Sequence, residues 1–307
     1  MRSKTATASP DADGDTPQGL VFAVAAYGLW GFLPLYLKLL EHVPPIEVVA
    51  HRIIWSVPIA TAVLVLLRRT SSLAKAFRSP RMLGMACLTA ALISLNWGLY
   101  TWAIASGNAL EGALGYYINP LFSVFLGAVL LGEKLTLAQG AAIALAVVAV
   151  LVLAVEAGRV PWLALSLTLT FGFYALAKKS LPIGPNQGFL LEVLILTPPA
   201  LVYVAYLALA GNSHFTLSFD RDTLVLMGCG VVTAVPLMLY ANGAKLLRLS
   251  TIGILQYIAP TMIFLIAVFV FDEPFGRAQA IAFPLIWLAL IIYSLSMLRR
   301  MRSKHAI

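Results

Sequence analysis

The segment Gly115-Tyr116-Tyr117-Ile118-Asn119-Pro120, inside the apolar stretch 110–152, decides the fold because part of it recurs later in the chain. Its counterpart is Gln256-Tyr257-Ile258-Ala259-Pro260, in which a tyrosine and a proline again stand three residues apart. The offset is 140 residues without gaps, and the same offset relates further pairs: Pro45 and Pro185, Pro58 and Pro198, Tyr100 and Tyr240, Glu133 and Glu273, Gln139 and Gln279. A constant offset across so many distinctive residues indicates an internal duplication.

The composition places the chain among membrane proteins. Hydrophobic residues make up 61% of the sequence and charged residues 11%, whereas soluble domains carry about 25% charged residues. Apolar runs follow one another from Gly19 to Leu298, and a helix needs about 20 apolar residues to cross roughly 30 Å of hydrocarbon. The sequence therefore predicts an all-α integral membrane protein. Cys87 and Cys229 lie in apolar runs with no CxxC motif, so both are predicted to be free and buried.

Ten transmembrane helices are predicted between two tails. The tail 1–17 is polar and is expected to be disordered, and 299–307 is a basic tail. The predicted spans are about 18–38, 46–67, 82–105, 110–131, 135–155, 159–178, 187–209, 222–246, 251–271 and 277–298. Most loops between them are short, the main exceptions being 68–81 and 210–221.

Lysine and arginine residues predict the orientation of these spans. If the N-terminus lies inside, sixteen of the 21 Lys and Arg residues fall on the inner side and four on the outer side, while Arg52 lies within the second span. Positive residues concentrate in cytoplasmic loops, so both termini are predicted to be cytoplasmic, in a bacterial-type inner membrane. The net charge of +8 sits in short loops and tails, which argues against a nucleic-acid partner.

The two halves of the chain, 18–156 and 157–298, each contain five predicted spans. Because five is odd, the second half enters the bilayer in the opposite orientation to the first. Inverted repeats related by a two-fold axis in the membrane plane are a recurring architecture of transporters, whose substrate site opens to each side in turn. A secondary transporter is therefore the favoured function.

Several segments resemble those of RarD-type permeases, bacterial proteins named for chloramphenicol sensitivity within the EamA-domain drug/metabolite transporter superfamily. These segments are 28–36 (GLWGFLPLY), 50–56 (AHRIIWS), Asn96-Trp97 and 115–120 (GYYINP). The resemblance covers nearly the whole chain, from about Gly19 to Leu298. It implies ten helices in two inverted five-helix EamA-type repeats, with a central cavity lined by the first, third and fourth helices of each repeat. It gives little information on the substrate.

Ionisable residues within spans are candidates for function, since they are costly in hydrocarbon. Arg52 lies roughly 10 Å below the outer end of the second span, and its planar guanidinium suits carboxylate or phosphate; a structural arginine is the alternative. His51 could couple or gate transport, although a packed, hydrogen-bonded histidine is favoured. Glu192 follows Arg52 by 140 residues and is expected near the inner side, either as a coupling or gating residue or as a partner of Lys178 or Lys179.

Polar and aromatic residues in or near the spans complete the predicted substrate site, because a mostly apolar site with a few placed polar groups suits a small organic solute. For the aromatic residues, packing or interface anchoring is the alternative. The predicted substrate-binding residues are Trp30, Arg52, Asn96, Trp97, Tyr100, Tyr116, Tyr117, Asn119, Tyr240, Asn242, Gln256 and Tyr257.

Prolines inside the spans are predicted hinges, since each removes an amide donor and kinks its helix. They form two pairs related by the duplication, Pro58 with Pro198 and Pro120 with Pro260. Gly112 and Gly115 are expected to let the fourth helix pack closely against a neighbour.

Other function classes lack a supporting motif. The sequence contains no GxxxxGK[ST] loop, HExxH or GxSxG motif and no paired metal ligands, so no cofactor, metal or catalytic residue is predicted. Transport would then use a gradient or exchange. An integral-membrane enzyme acting on lipids, or a channel or sensor, remains the alternative. The expected partners are a small organic solute and the lipid bilayer, and the sequence does not indicate an oligomeric state.

Overall fold

The computed structural model describes residues 16–67, 73, 76, 78–132, 134–156, 158–218, 220–244, 246–247 and 249–304. Within them the chain forms eleven helices and no strand. The helices are α1 (Pro17–Lys38), α2 (Pro45–Leu66), α3 (Pro80–Ala105), α4 (Ala109–Leu131), α5 (Leu137–Glu156), α6 (Trp162–Ser180), α7 (Pro185–Leu209), α8 (Arg221–Gly243), α9 (Leu249–Leu255), α10 (Ile258–Phe269) and α11 (Arg277–Lys304). Residues 1–15 of the predicted tail, Glu133 and part of the 68–81 loop lie outside the described residues.

These helices make ten membrane spans, which confirms the predicted fold class. Nine segments of the described chain are long and apolar enough to cross a bilayer, and the shorter apolar helix Trp162–Lys178 supplies the tenth. Prolines begin four of the helices, where their missing amide hydrogen costs nothing. The last helix continues to Lys304, so most of the predicted tail 299–307 extends the final span.

The ninth span is not the single helix predicted over 251–271. It is interrupted at Gln256 and Tyr257, between α9 and α10. Pro260 has no amide hydrogen to donate to the carbonyl four residues earlier, and at the break the Gln256 side chain donates to the Gly253 carbonyl at 3.0 Å. Pro120, the counterpart of Pro260, lies inside the unbroken helix α4.

The halves also differ in which helix carries the glycine at a close helix contact. A Cβ at Gly115 of α4 would lie 2.8 Å from the Ala164 carbonyl oxygen and 3.0 Å from the Leu167 Cβ of α6. The predicted close approach of α4 is therefore present at Gly115. The duplication places Leu255 at the corresponding point of the ninth span. In the second half the glycine is instead on α1, where a Cβ at Gly31 would lie 2.7 Å from the Met262 Cβ of α10.

The packing of the helices is that of two related halves. Helix α1 packs against α8 and α10, and α6 packs against the corresponding helices α3 and α4. Three corresponding pairs also meet each other: α2 with α7, α4 with α10, and α5 with α11. This pattern is unchanged when the halves are exchanged, as a two-fold relationship requires. Five spans per half make that relationship an inverted one.

The loops fall on two faces of the bundle. Loops 39–44, 106–108, 158–161, 210–220 and 270–276 share the predicted outer face, where Glu273 accepts hydrogen bonds from the Ala109 and Leu110 amides at 2.7 Å. On the opposite face, Thr16 donates its amide to the Leu246 carbonyl at 3.2 Å. Consecutive loops thus alternate between the faces. Cys87 is exposed, contrary to prediction, whereas Cys229 is buried, and both are free.

Candidate substrate site

Arg52 lies in the interior of the bundle, where helices of both halves meet. Its side chain is 3% exposed. The guanidinium Nε donates to Thr233 Oγ1 of α8 at 3.0 Å, and one terminal nitrogen donates to Thr101 Oγ1 of α3 at 3.4 Å. The guanidinium carbon lies 5.0 Å from the centre of the Trp97 ring, a distance that allows a cation–π interaction. Arg52 therefore joins α2, α3 and α8.

Two tyrosines extend this group. The Tyr100 and Tyr116 rings are 5.3 Å apart in an edge-to-face arrangement, and both residues, like Cys229, are close enough to Arg52 to interact with its charge. Within the part of the chain that the structure describes, the buried Tyr100 hydroxyl has no hydrogen-bond partner. We call Arg52, Trp97, Tyr100 and Tyr116 the Arg52 group.

Asn96 holds the Arg52 group against the second half of the protein. Its Nδ2 donates to the Leu167 carbonyl at 3.1 Å and to Thr170 Oγ1 at 2.9 Å on α6. Its Oδ1 accepts a hydrogen bond from the Tyr116 hydroxyl at 3.1 Å. An amide in hydrocarbon needs such partners. Asn96 thereby fixes the Tyr116 ring beside Arg52.

A second aromatic group contains the predicted residues Trp30 and Tyr240. Their ring centres are 5.7 Å apart, and Tyr27 lies within 5.8 Å of both. Since Tyr240 corresponds to Tyr100, this group is the counterpart of part of the Arg52 group in the other half. Helices α1 and α8 supply it.

Glu192 takes the partner that the sequence offered. Lys178 Nζ lies 2.6 Å from Glu192 Oε1, and the Tyr174 hydroxyl donates to Oε2 at 3.4 Å. Glu192 is 1% exposed. The described ion pairs contain no contact between Glu192 and Arg52, in agreement with the expectation that the two residues stand apart.

Five other predicted residues make no hydrogen bond, among those described, to either aromatic group. The Tyr117 hydroxyl donates to Thr261 at 2.8 Å and its ring packs on Phe283. The Asn242 and Gln256 side chains donate to carbonyls of their own segments. Among the described residues, the buried polar atoms Asn119 Oδ1 and Tyr257 Oη have no hydrogen-bond partner.

The predicted hinge prolines occupy different positions in their helices. Pro58 lies inside α2, and Pro198 lies inside α7 beside Pro199. Pro120 is interior to α4, whereas Pro260 is in the first turn of α10, after the break. The pair 58/198 is therefore alike in the two halves, and the pair 120/260 is not.

The loop that follows α7 packs on α2 at the predicted outer face. The Phe215 ring stacks on His51 with centres 4.9 Å apart and lies 6.0 Å from Trp55. His51 also accepts a hydrogen bond at Nδ1 from Trp55 Nε1 at 3.3 Å, and its buried Nε2 has no partner among the described residues. His51 is thus a packed residue under this loop.

Two histidine–carboxylate contacts hold the same face. Glu47 of α2, which is fully buried, accepts hydrogen bonds from the His214 amide and contacts His214 Nδ1, each at 2.8 Å. His42 Nε2 lies 2.8 Å from Asp222 Oδ2 at the start of α8. Each contact joins the first half of the chain to the second. We call these two contacts the outer latch.

Two loop carboxylates on this face have altered acidity. Burial raises the pKa of Glu273, although the hydrogen bonds from the Leu110 and Ala109 amides oppose the rise. Hydrogen bonds from the Thr223 amide and the Thr216 hydroxyl lower the pKa of the exposed Asp220. Among the described residues, no cluster of three or more His, Cys, Asp or Glu side chains could hold a metal ion.

Four contributors were missed in the sequence: Thr101, Thr233, Glu47 and Glu273. Thr101 follows Trp97 by four residues and so shares its helix face, a signal that could have revealed it. Thr233 has no such signal, because it meets Arg52 only through the packing of α2 on α8. Glu47 and Glu273 lie close to predicted span ends, where an acidic residue is not unusual and does not indicate a function.

The comparisons with known proteins identify the family. A profile of the EamA-like transporter family matches residues 17–155. Protein RarD of Streptomyces exfoliatus is 40% identical to the chain, over 96% of this chain and 94% of that protein. The chain belongs to the RarD-type EamA-like transporters. Membership of this family confirms the resemblance seen in segments 28–36, 50–56 and 115–120.

Further RarD-type relatives span the same length. Protein RarD of Escherichia coli K12 is 38% identical over 91% of this chain and 94% of its own. The uncharacterized transporter YojE of Bacillus subtilis is 41% identical over 95% of this chain and 98% of its own. One crystal structure superposes with a TM-score of 0.59 at 21% identity, covering 90% of this chain and 97% of that one, which shows the fold alone. The chain is thus a multi-pass membrane protein of a transporter family.

Proposed function

We propose that this RarD-type protein is a secondary transporter that carries a small organic solute across a bacterial inner membrane by alternating access. The observation that carries the proposal is the position of the Arg52 group. Arg52, Trp97, Tyr100 and Tyr116 belong to the first half, and Arg52 donates a hydrogen bond to Thr233 of the second. A polar site between inverted halves can face either side of the membrane as the halves rock against each other.

We propose that the solute occupies a space that opens between the Arg52 group and the Tyr27–Trp30–Tyr240 group when the halves move. Both groups present aromatic surfaces with hydroxyl groups, as a site for a small organic molecule does. Asn119 and Tyr257 add buried polar atoms that lack a partner among the described residues. Asn242, Gln256 and Tyr117 support the helices around this space in our proposal, because each bonds within its own segment or to a packing helix.

We propose that the outer latch is the gate on the predicted outer face. Opening the predicted outer face requires α1 and α2 to separate from the loop 210–220 and from α8. That movement breaks the Glu47–His214 and His42–Asp222 contacts and withdraws Phe215 from His51. Both contacts of the outer latch are formed in this structure, as expected of a state that is closed on this side. His51 then acts as a gate residue through packing.

We also propose that both termini are cytoplasmic. The alternation of loops between two faces supports an even number of crossings, and the excess of Lys and Arg on one face supports its being the cytoplasmic one. Single-cysteine labelling of intact cells at Ser106 and at Ser180 tests this orientation. Labelling of Ser180→Cys but not of Ser106→Cys would contradict it.

Counterflow in proteoliposomes tests the transport function. Vesicles containing purified protein are loaded with a panel of unlabelled amino acids, amines, nucleotides, sugar phosphates and chloramphenicol, and uptake of the same labelled compound at trace concentration is measured. A carrier gives transient, saturable accumulation of at least one compound. A channel gives no accumulation above equilibrium, and an enzyme or sensor gives no flux, so either result would refute alternating access.

The two native cysteines provide a direct test of the outer latch. Cys229 is buried beside Arg52 and about 12 Å below the start of α8, whereas Cys87 is exposed and can be removed as Cys87→Ala. In that background, Glu47→Gln should increase the labelling rate of Cys229 by a small water-soluble thiol reagent. Glu41→Gln, whose contact is within one segment, is the matched control. Equal labelling in both variants would show that Glu47 does not hold the gate.

A further inference from the structure

The charge of Arg52 is buried and unpaired among the described residues. Its contacts are two threonine hydroxyls and the Trp97 ring, and no carboxylate oxygen of the described chain lies within 4.0 Å of it. An arginine side chain stays protonated in proteins. A full positive charge therefore faces only neutral partners.

The corresponding position in the second half is different. Glu192 is equally buried, but Lys178 lies 2.6 Å from it and neutralises it. Glu47, the next carboxylate along α2, has both oxygens engaged by His214. The duplication has thus produced one compensated charge and one uncompensated charge. Burial of a charge without a partner is strongly unfavourable, so a counter-charge is expected from outside the chain.

We infer that the solute supplies this counter-charge: the transported compound is an organic carboxylate, whose carboxylate is bound by Arg52 beside the free Tyr100 hydroxyl. This inference rests on the proposed transport function and specifies its substrate class. The guanidinium fork matches a carboxylate in two parallel hydrogen bonds, and Tyr100 offers an unused donor. A phosphate monoester carries nearly two negative charges at neutral pH, and a single cation does not balance them.

The remaining walls of the site select for the organic part of the solute. The Trp97 ring lies 5.0 Å from the guanidinium carbon, the paired rings of Tyr100 and Tyr116 belong to the same group, and Phe215 stacks on the adjacent residue His51. A small inorganic anion would leave this apolar surface uncovered. The site therefore favours a carboxylate attached to an apolar group over a free ion.

Matched pairs of small molecules test the inference on the purified full-length protein. The probes are benzoate with benzamide, phenylacetate with phenylacetamide, and acetate with acetamide, which differ within each pair in charge. A ligand that binds the native state raises the midpoint of thermal unfolding. We expect benzoate or phenylacetate to raise it and the paired amide to leave it unchanged. Failure of every carboxylate to exceed its amide would overturn the inference.

Variants assign the response to Arg52. Arg52→Gln should lower the affinity for the responding carboxylate on the order of a hundredfold, because it removes one member of a buried charge pair. Arg159→Gln, at a position 65% exposed, is the control and should keep the response. Should Arg52→Gln not fold, Arg52→Lys keeps the charge without the fork and should weaken binding. Undiminished carboxylate selectivity in the variant that folds would refute the role of Arg52.

Transport measurements separate this inference from the function beneath it. Counterflow of a neutral or cationic solute that Arg52→Gln leaves unchanged would overturn the carboxylate assignment and leave the carrier function intact. Carboxylate binding without counterflow of any compound would overturn the carrier function and leave the anion site intact.

Discussion

Replacing Gly230 with alanine tests how closely α2 and α8 must pack to form the Arg52 group. A Cβ at Gly230 would meet the Trp55 backbone carbonyl and lie 2.6 Å from the Trp55 Cβ. Carbon atoms normally approach to about 3.5 Å, so the helices must move apart by about 1 Å. Backbone atoms cannot yield as a flexible side chain does. The clash is therefore relieved only by separating the helices.

The same movement breaks the contact between Arg52 and the second half. Thr233 follows Gly230 by three residues and shares its helix face, and its hydroxyl accepts a hydrogen bond from Arg52 Nε at 3.0 Å. A separation of about 1 Å lengthens this bond beyond its effective range. Overpacking costs about 1–3 kcal/mol, and a hydrogen bond to a charged group contributes about 1.5–3 kcal/mol. We expect a total loss of about 3 kcal/mol.

The assay is thermal unfolding of the purified protein in detergent, with Gly98→Ala as the control. Gly98 is a helical glycine of α3 with no atom within 4 Å of an added Cβ, so alanine there should be neutral or stabilise by up to about 1 kcal/mol. Gly230→Ala should lower the unfolding midpoint by several degrees and weaken ligand binding. Equal midpoints for the two variants would show that the α2–α8 approach is not as described.

Three further predictions use the same assay. Lys178→Met should destabilise the protein more than Glu192→Gln. The first variant leaves a carboxylate that is 1% exposed without its cation, at a cost of about 3–5 kcal/mol, whereas in the second the ammonium of Lys178, whose side chain is 21% exposed, can reach water. The reverse order of stabilities would contradict this prediction. The double-mutant cycle of Asn96→Ala and Tyr116→Phe should give a coupling of about 0.6 kcal/mol, typical of hydrogen bonds in membranes, and zero coupling would exclude the bond. Hydrogen bonds to its charged form lower the pKa of Asp220, so its stabilising contribution is present at neutral pH and is lost as the pH falls below the ordinary value of 3.8. Asp220→Asn should therefore be destabilising at pH 7 and as stable as the wild type in strong acid. A difference in stability that does not change with pH would refute this role of the Asp220 charge.

The span pattern was predictable because it depends on local properties. The length of each apolar run determines whether a helix can cross the bilayer, and the duplication implies that the halves pack alike. Arg52 was predictable as a buried residue from its distance to the end of its span. Its partners Thr101 and Thr233 could not be predicted, because they belong to α3 and α8. The sequence of one helix does not determine its register against another.

The break at Gln256 could not be predicted from the duplication. Pro120 and Pro260 remove the same hydrogen bond, and yet α4 is continuous while the ninth span is interrupted. Gly115 lies against Ala164 of α6 in the continuous helix, and its counterpart in the interrupted span is Leu255. The two repeats therefore differ in the residues around the proline, and the duplication alone does not predict the break.

The charges at Arg52 and Glu192 follow the same logic and bear on function. Two inverted halves with identical residues would present the same chemistry at both ends of the pathway. Here one half buries a cation that has no carboxylate partner among the described residues, and the other buries an anion that the protein itself neutralises through Lys178. A carboxylate bound at Arg52 would therefore have no equivalent second site, since the corresponding residue Glu192 is an anion already paired with Lys178. One binding site that is presented to each side in turn is what the proposed alternating access requires, and the unequal substitution of the two repeats would provide it.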